Sequence, residues 1–152
     1  MAQAGPARST PLDEQLCFAL YAASRAMTSC YRPMLDALDL TYPQYLVLLV
    51  LWERGDTTVS GLGRALQLET GTLSPLLKRL EAAGLISRTR QVDDERSVRV
   101  SLTAEGRGLE DSVAATQGRV GAATAMSRAE RGELREALHR LTDTLRTAAG
   151  AG

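Results

Sequence analysis

Cys17, Tyr21 and Tyr31 are the residues whose types and spacing point to chemistry. Cys17 and Tyr21 stand four apart in LDEQLCFALYAASRAMTSCYRPM, residues 12–34, a stretch that reads as helix. Side chains four apart share a helix face, so the phenol can reach the sulfur. A thiolate attacks peroxides, and hydrogen-bond donation to sulfur favours the charged form. The expected product is a sulfenic acid, which condenses with a small thiol into a mixed disulfide. Two features oppose the thiolate. Asp13 and Glu14 lie one turn back, and a helix opening at Thr10-Pro11 puts Cys17 about two turns in, beyond the turn where the helix dipole acts. On a continuous helix Tyr31 lies ~21 Å from Cys17. It reaches the sulfur only through a kink at Pro33 or from an antiparallel partner chain, and the partner is the expected route. The bland alternative is an inert, buried thiol among core aromatics.

Positioning these groups needs a helical frame. Apolar residues recur at Leu12, Leu16, Leu20, Ala23 and Met27, with helical period. Pro33 kinks or restarts that helix, Asp39 to Thr41 breaks it, and Tyr42-Pro43 opens another that stops near Gly55. Thr58-Val59 reads as a very short strand, and Ser60 to Leu66 as a short helix. After a turn at Gln67 to Glu69, Thr70 is expected to cap a second helix running to about Ala83, with Gly84 as its left-handed stop. Two short helices joined by a tight turn are a helix-turn-helix. In the second, Leu73, Leu77 and Leu80 share one face while Thr70, Ser74, Lys78 and Glu81 share another. LISRTR and VRVSL then read as a hairpin around the polar turn QVDDERS, giving a winged helix-turn-helix. Thr103 caps a helix to about Ala125. Ser127 and Glu130 form a capping box for a last helix, whose stripe Leu134, Leu138, Leu141, Leu145 asks for a partner surface. The fold class is therefore mainly α with a small β-hairpin wing. Residues 12–40 and 103–147 are read as dimerisation regions, 41–102 as the DNA-binding region, and 1–11 and 148–152 as loose tails.

Composition narrows the class without naming the function. The 152 residues fit one domain with a real core, and net charge is zero, so any basic surplus is local. The longest apolar run, Tyr45 to Trp52, is far short of a membrane span. Residues 1–11 do not resemble a secretory signal. With two cysteines and no export signal, a reducing, cytoplasmic setting is expected. A Cys17–Cys30 bridge is disfavoured on one straight helix, where the two lie ~20 Å apart; a bridge between subunits stays open. His139 is the only histidine and reads as a surface residue, so neither a metal nor a cofactor is expected.

On the DNA side, Thr70, Thr72, Ser74 and Lys78 are the candidates for base and phosphate contacts, with Pro75 against thymine methyls. Arg96 at the wing tip suits a minor groove. Arg79 and Arg88 are further cationic candidates, each balanced by the reading of a solvated charge. Gln44, near a helix N-terminus, is a candidate for offering backbone amides to a phosphate.

TGTLSPLLKRLEAAGLI (residues 70–86) and DDERSVRVSLTAEG (93–106) resemble the recognition helix, wing and exit helix of the MarR family. The resemblance covers about Leu12 to Leu145. LCFALYAASRAM and LTYPQYLVLLVLWE are similar to its organic-hydroperoxide-sensing OhrR group. The resemblance implies a homodimeric repressor whose reduced form binds a palindromic operator. Oxidation of Cys17 by organic hydroperoxide then releases the DNA, and a low-molecular-weight thiol caps the sulfur. It further implies that Tyr21 and Tyr31 donate to that sulfur, and that Asp94 holds the wing or Arg96 by a salt bridge. Cys30 departs from the late resolving cysteine of two-cysteine members, which implies the one-cysteine type. Two other readings stand beside this one: a MarR regulator answering a phenolic ligand or hypochlorite, and a thiol peroxidase using Cys17.

Overall fold

The first helix begins later than Thr10-Pro11 suggests. In the computed structural model, which describes residues 9–94 and 96–150, Leu12–Glu14 close only a 3-10 turn. Gln15 is extended (φ −79°, ψ 114°), and its side-chain amide donates to the Thr10 carbonyl at 3.0 Å. Helix α1 then spans Leu16–Ser29, and none of its residues is buried. Cys30 and Tyr31 make the bend. Helix α2 (Arg32–Ala37) restarts with Pro33 in its first turn, where the missing N–H is harmless. Asp39 turns left-handed (φ 52°) and the Leu40 amide returns to the Leu35 carbonyl at 2.9 Å, ending the helix.

Thr41 and Gln44 form a reciprocal capping box for helix α3 (Tyr42–Arg54), which Gly55 terminates at φ 73°. Strand β1 is Thr57–Thr58, one residue earlier than expected, because Thr58 also caps helix α4 (Val59–Leu66) by accepting the Gly61 amide at 3.1 Å. Helix α5 spans Thr70–Ala82. Thr70 is its first residue and not its cap; Glu69 holds the cap position and makes no side-chain hydrogen bond there. Gly84 (φ 76°) supplies the expected stop.

Strands β2 (Ile86–Arg90) and β3 (Val98–Leu102) pair antiparallel, with β1 on the far edge of β3. Val100 thus lies between Thr57 and Arg88. Thr103 donates to the Gly84 carbonyl at 2.6 Å and accepts the Gly106 amide at 3.1 Å, opening helix α6 (Ala104–Gly108). The single helix expected to about Ala125 is interrupted at Leu109, and helix α7 (Glu110–Ala123) follows.

The chain divides into two compact units, the first ending at Thr116 and the second starting at Gln117. The core of the first is α3 (Tyr45, Val47, Leu48, Leu51) against Leu62, Leu73, Leu77, Leu80, Ile86 and Val100. Each such side chain contributes about 1.5–3 kcal/mol by leaving water. In the second unit, Ser127 and Glu130 form the expected capping box for helix α8 (Arg128–Gly150), none of whose residues is buried. Residues 148–150, expected as tail, continue that helix. The tail expected at residues 1–8 and at 151–152 lies outside the described residues. No helix among the described residues is long and apolar enough to cross a membrane.

Candidate sensor thiol and nucleic-acid interface

The late start of α1 changes the setting of Cys17. It is the second residue of the helix and not two turns inside. The unpaired N–H groups and positive dipole end of the first turn are therefore beside it. Asp13 and Glu14 are not one turn back on the same helix, because the extended Gln15 separates them from it. Cys17 is exposed. Leu12, Leu16, Phe18 and Tyr21 around it are exposed as well, an apolar patch beside the thiol. Tyr21 lies one turn on, with the Arg25 guanidinium 5.5 Å from its ring centroid, a cation–π contact absent from the sequence reading. Among the described residues no hydrogen bond reaches the Cys17 sulfur, so the Tyr21 donation expected within one chain is not formed.

Tyr31 sits at the opposite end of α1, at the cap of α2. Its ring is 5.6 Å from Tyr42 and 5.5 Å from Tyr45, and those two are 5.6 Å apart. Burial, with Tyr45 and Tyr42 alongside, pushes the Tyr31 phenol up to about 12. Burial and Tyr45 also raise Tyr42. Sequence reasoning missed Tyr42 and Tyr45 as members of this group. The signal was present in YPQY, where two aromatics three apart share a helix face. Cys30 is exposed at the bend, its Sγ 3.4 Å from the Ala26 carbonyl.

The second set of residues gathers on α5 and the hairpin. Leu73, Leu77 and Leu80 are 0–1 % exposed and fix the inward face of α5. At about 100° per residue, the direction opposite them belongs to Gly71, Pro75 and Lys78. Arg79 lies about as near this centre as Lys78, on its other side, while Thr72 and Ser74 fall on opposite flanks. Thr70 and Glu81 fall on the Ser74 flank, so the outward face is rotated from the Thr70–Ser74–Lys78–Glu81 set. Thr70, Thr72, Ser74, Pro75, Lys78 and Arg79 are all exposed.

Arg88 is not a free cation. Its Nε and Nη2 donate to the two Glu81 carboxylate oxygens at 3.2 and 3.0 Å. Asp94 holds the wing through the main chain, its carboxylate accepting the Arg96 amide at 3.0 Å in place of the expected salt bridge. The Gln91 amide to the Ser97 carbonyl (3.0 Å) and the Ser97 amide to the Asp94 carbonyl (2.9 Å) close the turn. The Arg96 side chain is thereby left exposed. Gln44 is elsewhere: 7 % exposed, its amide donating to Thr41 Oγ1 and its side chain accepting from the Thr41 amide. These bonds make it a helix cap and occupy its own main-chain N–H.

The family model for transcriptional regulator SarA/Rot matches residues 29–113. The organic hydroperoxide resistance transcriptional regulator of Bacillus subtilis (strain 168) is 48% identical over 88% of this chain and 91% of its own. The chain is a MarR-family winged-helix transcriptional regulator. This MarR protein is also 47% identical to the HTH-type transcriptional regulator TtmR of Methylorubrum extorquens (strain PA1), over 99% of this chain and 77% of that one. Among solved structures it resembles reduced AbfR bound to DNA, at 36% identity and TM-score 0.74, covering 88% of this chain and 94% of the other. AbfR is from Staphylococcus epidermidis, and its disulfide form has also been solved. The exposed thiol and the winged helix thus belong to a regulator and not to a peroxidase.

Proposed function

We propose that this MarR protein is a homodimeric repressor that binds a palindromic operator while Cys17 is reduced and releases it when organic hydroperoxide oxidises Cys17. One observation carries the reading. The helix bearing the thiol has an apolar stripe yet no buried residue, and its own Tyr31 lies at the far end, about 20 Å away along the helix. Both features are accounted for by an antiparallel α1 of a second copy, which covers the stripe and brings the partner's Tyr31, with Tyr42 behind it, to Cys17. The Leu134, Leu138, Leu141 and Leu145 stripe of α8 supplies further dimer contact.

In this scheme the Cys17 thiolate attacks the distal peroxide oxygen. The O–O bond breaks, the distal oxygen passes to sulfur with its hydrogen to give a sulfenic acid, and the leaving alkoxide takes from water the proton that the thiol released on ionising. A low-molecular-weight thiol then displaces water from it to give a mixed disulfide. The added group occupies the space of the tyrosine hydroxyl and shifts the paired reading heads. Cys30 is a bystander, as in the one-cysteine type. On DNA, α5 enters the major groove with Ser74, Lys78, Thr72, Arg79 and Thr70 as contacts and Pro75 against thymine methyls. Arg96 enters the minor groove. The apolar side chains nearest Cys17 in sequence, Leu16 and Phe18, with Tyr21 one turn on, suit the organic group of a hydroperoxide better than hydrogen peroxide.

The test is an operator gel shift comparing wild type with Cys17→Ser, titrated with cumene hydroperoxide and hydrogen peroxide. Release by cumene hydroperoxide in wild type alone is the expected result. Release of both proteins sinks the assignment to Cys17.

A further inference from the structure

The centre of the outward face of α5 holds two residues without a hydrogen-bonding side chain, Gly71 and Pro75. Pro75 lies in the interior of the helix. It has no N–H, so the Gly71 carbonyl lacks a donor at its i+4 position, and the pyrrolidine ring crowds that carbonyl outward. Both residues are exposed. A Cβ placed on Gly71 meets nothing within 4 Å among the described residues, so the side-chain direction at 71 is open. A helix interior tolerates proline poorly. The packing of Leu73, Leu77 and Leu80 on the opposite side does not call for one.

We propose that the Gly71 main-chain carbonyl, left free by Pro75, is a sequence-reading acceptor that takes one hydrogen bond per half-site from an exocyclic amino group in the major groove. Only adenine N6 and cytosine N4 present donors there; guanine and thymine offer acceptors at the same edge. A free carbonyl therefore selects A or C and repels G and T. Glycine serves because any side chain at 71 holds the base edge away from the carbonyl. Lys78, two turns further on the same face, is a donor and complements an acceptor base or a phosphate. The inference rests on α5 being the major-groove helix and is independent of the chemistry at Cys17.

The experiment starts from duplexes selected out of a randomised library by the reduced full-length protein. In the selected duplex each adenine is replaced in turn by purine, and each cytosine by 2-pyrimidinone, which removes only the amino group. At one position per half-site this replacement is expected to weaken wild-type binding about fivefold, the loss of one net hydrogen bond. Pro75→Ala restores an N–H to the Gly71 carbonyl. It should melt at a higher temperature and bind with no sensitivity to the replacement at that position. Gly71→Ala leaves the carbonyl free but adds a methyl, and should weaken binding to every selected duplex. Wild-type binding indifferent to every replacement overturns the proposal, as does a Pro75→Ala protein as sensitive as wild type. If the selection recovers no preferred duplex, the DNA-binding reading falls and this inference with it.

Discussion

Arg88 grips Glu81 with two parallel hydrogen bonds, at 3.0 and 3.2 Å, fastening the first strand of the wing to the last turn of the recognition helix. Hydrogen bonding from Arg88 holds the Glu81 carboxyl below the usual carboxylate range. The contribution of this tie is therefore present above the ordinary carboxylate pKa and is lost as acid protonates the folded-state group. Since its charge is already matched, Arg88 should release few counterions on binding DNA. Replacing Lys78 by Gln should reduce the slope of log affinity against log salt by about 0.9, whereas Arg88→Gln should leave the slope near the wild-type value. Fluorescence anisotropy on a fixed operator at several salt concentrations measures both. Equal slope losses would mean that Arg88 leaves Glu81 for a phosphate.

Met27 is 47 % exposed on α1 and Leu134 is 48 % exposed on α8. A carboxylate at either position is compatible with the fold of one chain but not with an apolar interface. Met27→Glu and Leu134→Glu are expected to retain helical circular dichroism, to sediment as monomers at micromolar concentration and to lose operator binding. A variant that stays dimeric removes its helix from the interface.

Raising the pH tests the aromatic group. Tyr31 is pushed up to about 12, mainly by burial, and Tyr42 is raised for the same reason. The unfolded chain ionises near the ordinary value of 10.0. These residues therefore contribute stability that is intact below pH 10 and declines as the pH rises from 10 towards 12. An ultraviolet tyrosinate titration should show a late-titrating component. Denaturant midpoints should fall between pH 10 and 12, less steeply for Tyr31→Phe.

Gly106 leaves no room for a side chain, since a Cβ there would collide with the Leu85 carbonyl. Its own carbonyl accepts the Trp52 indole N–H at 2.9 Å. Gly106→Ala should cost about 1–3 kcal/mol, as expected of overpacking. Trp52 is the only tryptophan. Its emission should shift with the broken contact, and chemical denaturation followed by that emission gives both numbers. A fully stable variant would mean that Leu85 moves aside freely.

Local patterns in the chain were enough to specify most elements. The Ser127/Glu130 box, the Gly55 and Gly84 stops and the Leu73–Leu77–Leu80 face are short-range chemistry, and all appear where their spacing places them. The Thr41/Gln44 box is equally local, but the sequence reading passed over it in favour of a phosphate site at Gln44. Nearest-neighbour signals misled where two competed. At Thr10-Pro11 a cap signal lost to a 3-10 turn closed by Gln15, which moved Cys17 to the helix start. At Thr70 the cap position fell to Glu69. Other relationships join residues distant in sequence or read from a wrongly placed face, and only tertiary structure decides them. The Tyr31–Tyr42–Tyr45 group forms because the bend after α1 brings Tyr31 against the start of α3, and Arg88 is neutralised because β2 returns beside α5. The outward centre of α5 at Gly71 and Pro75 became visible once the buried leucines fixed its rotation, because a helix has no outside until its inside is packed.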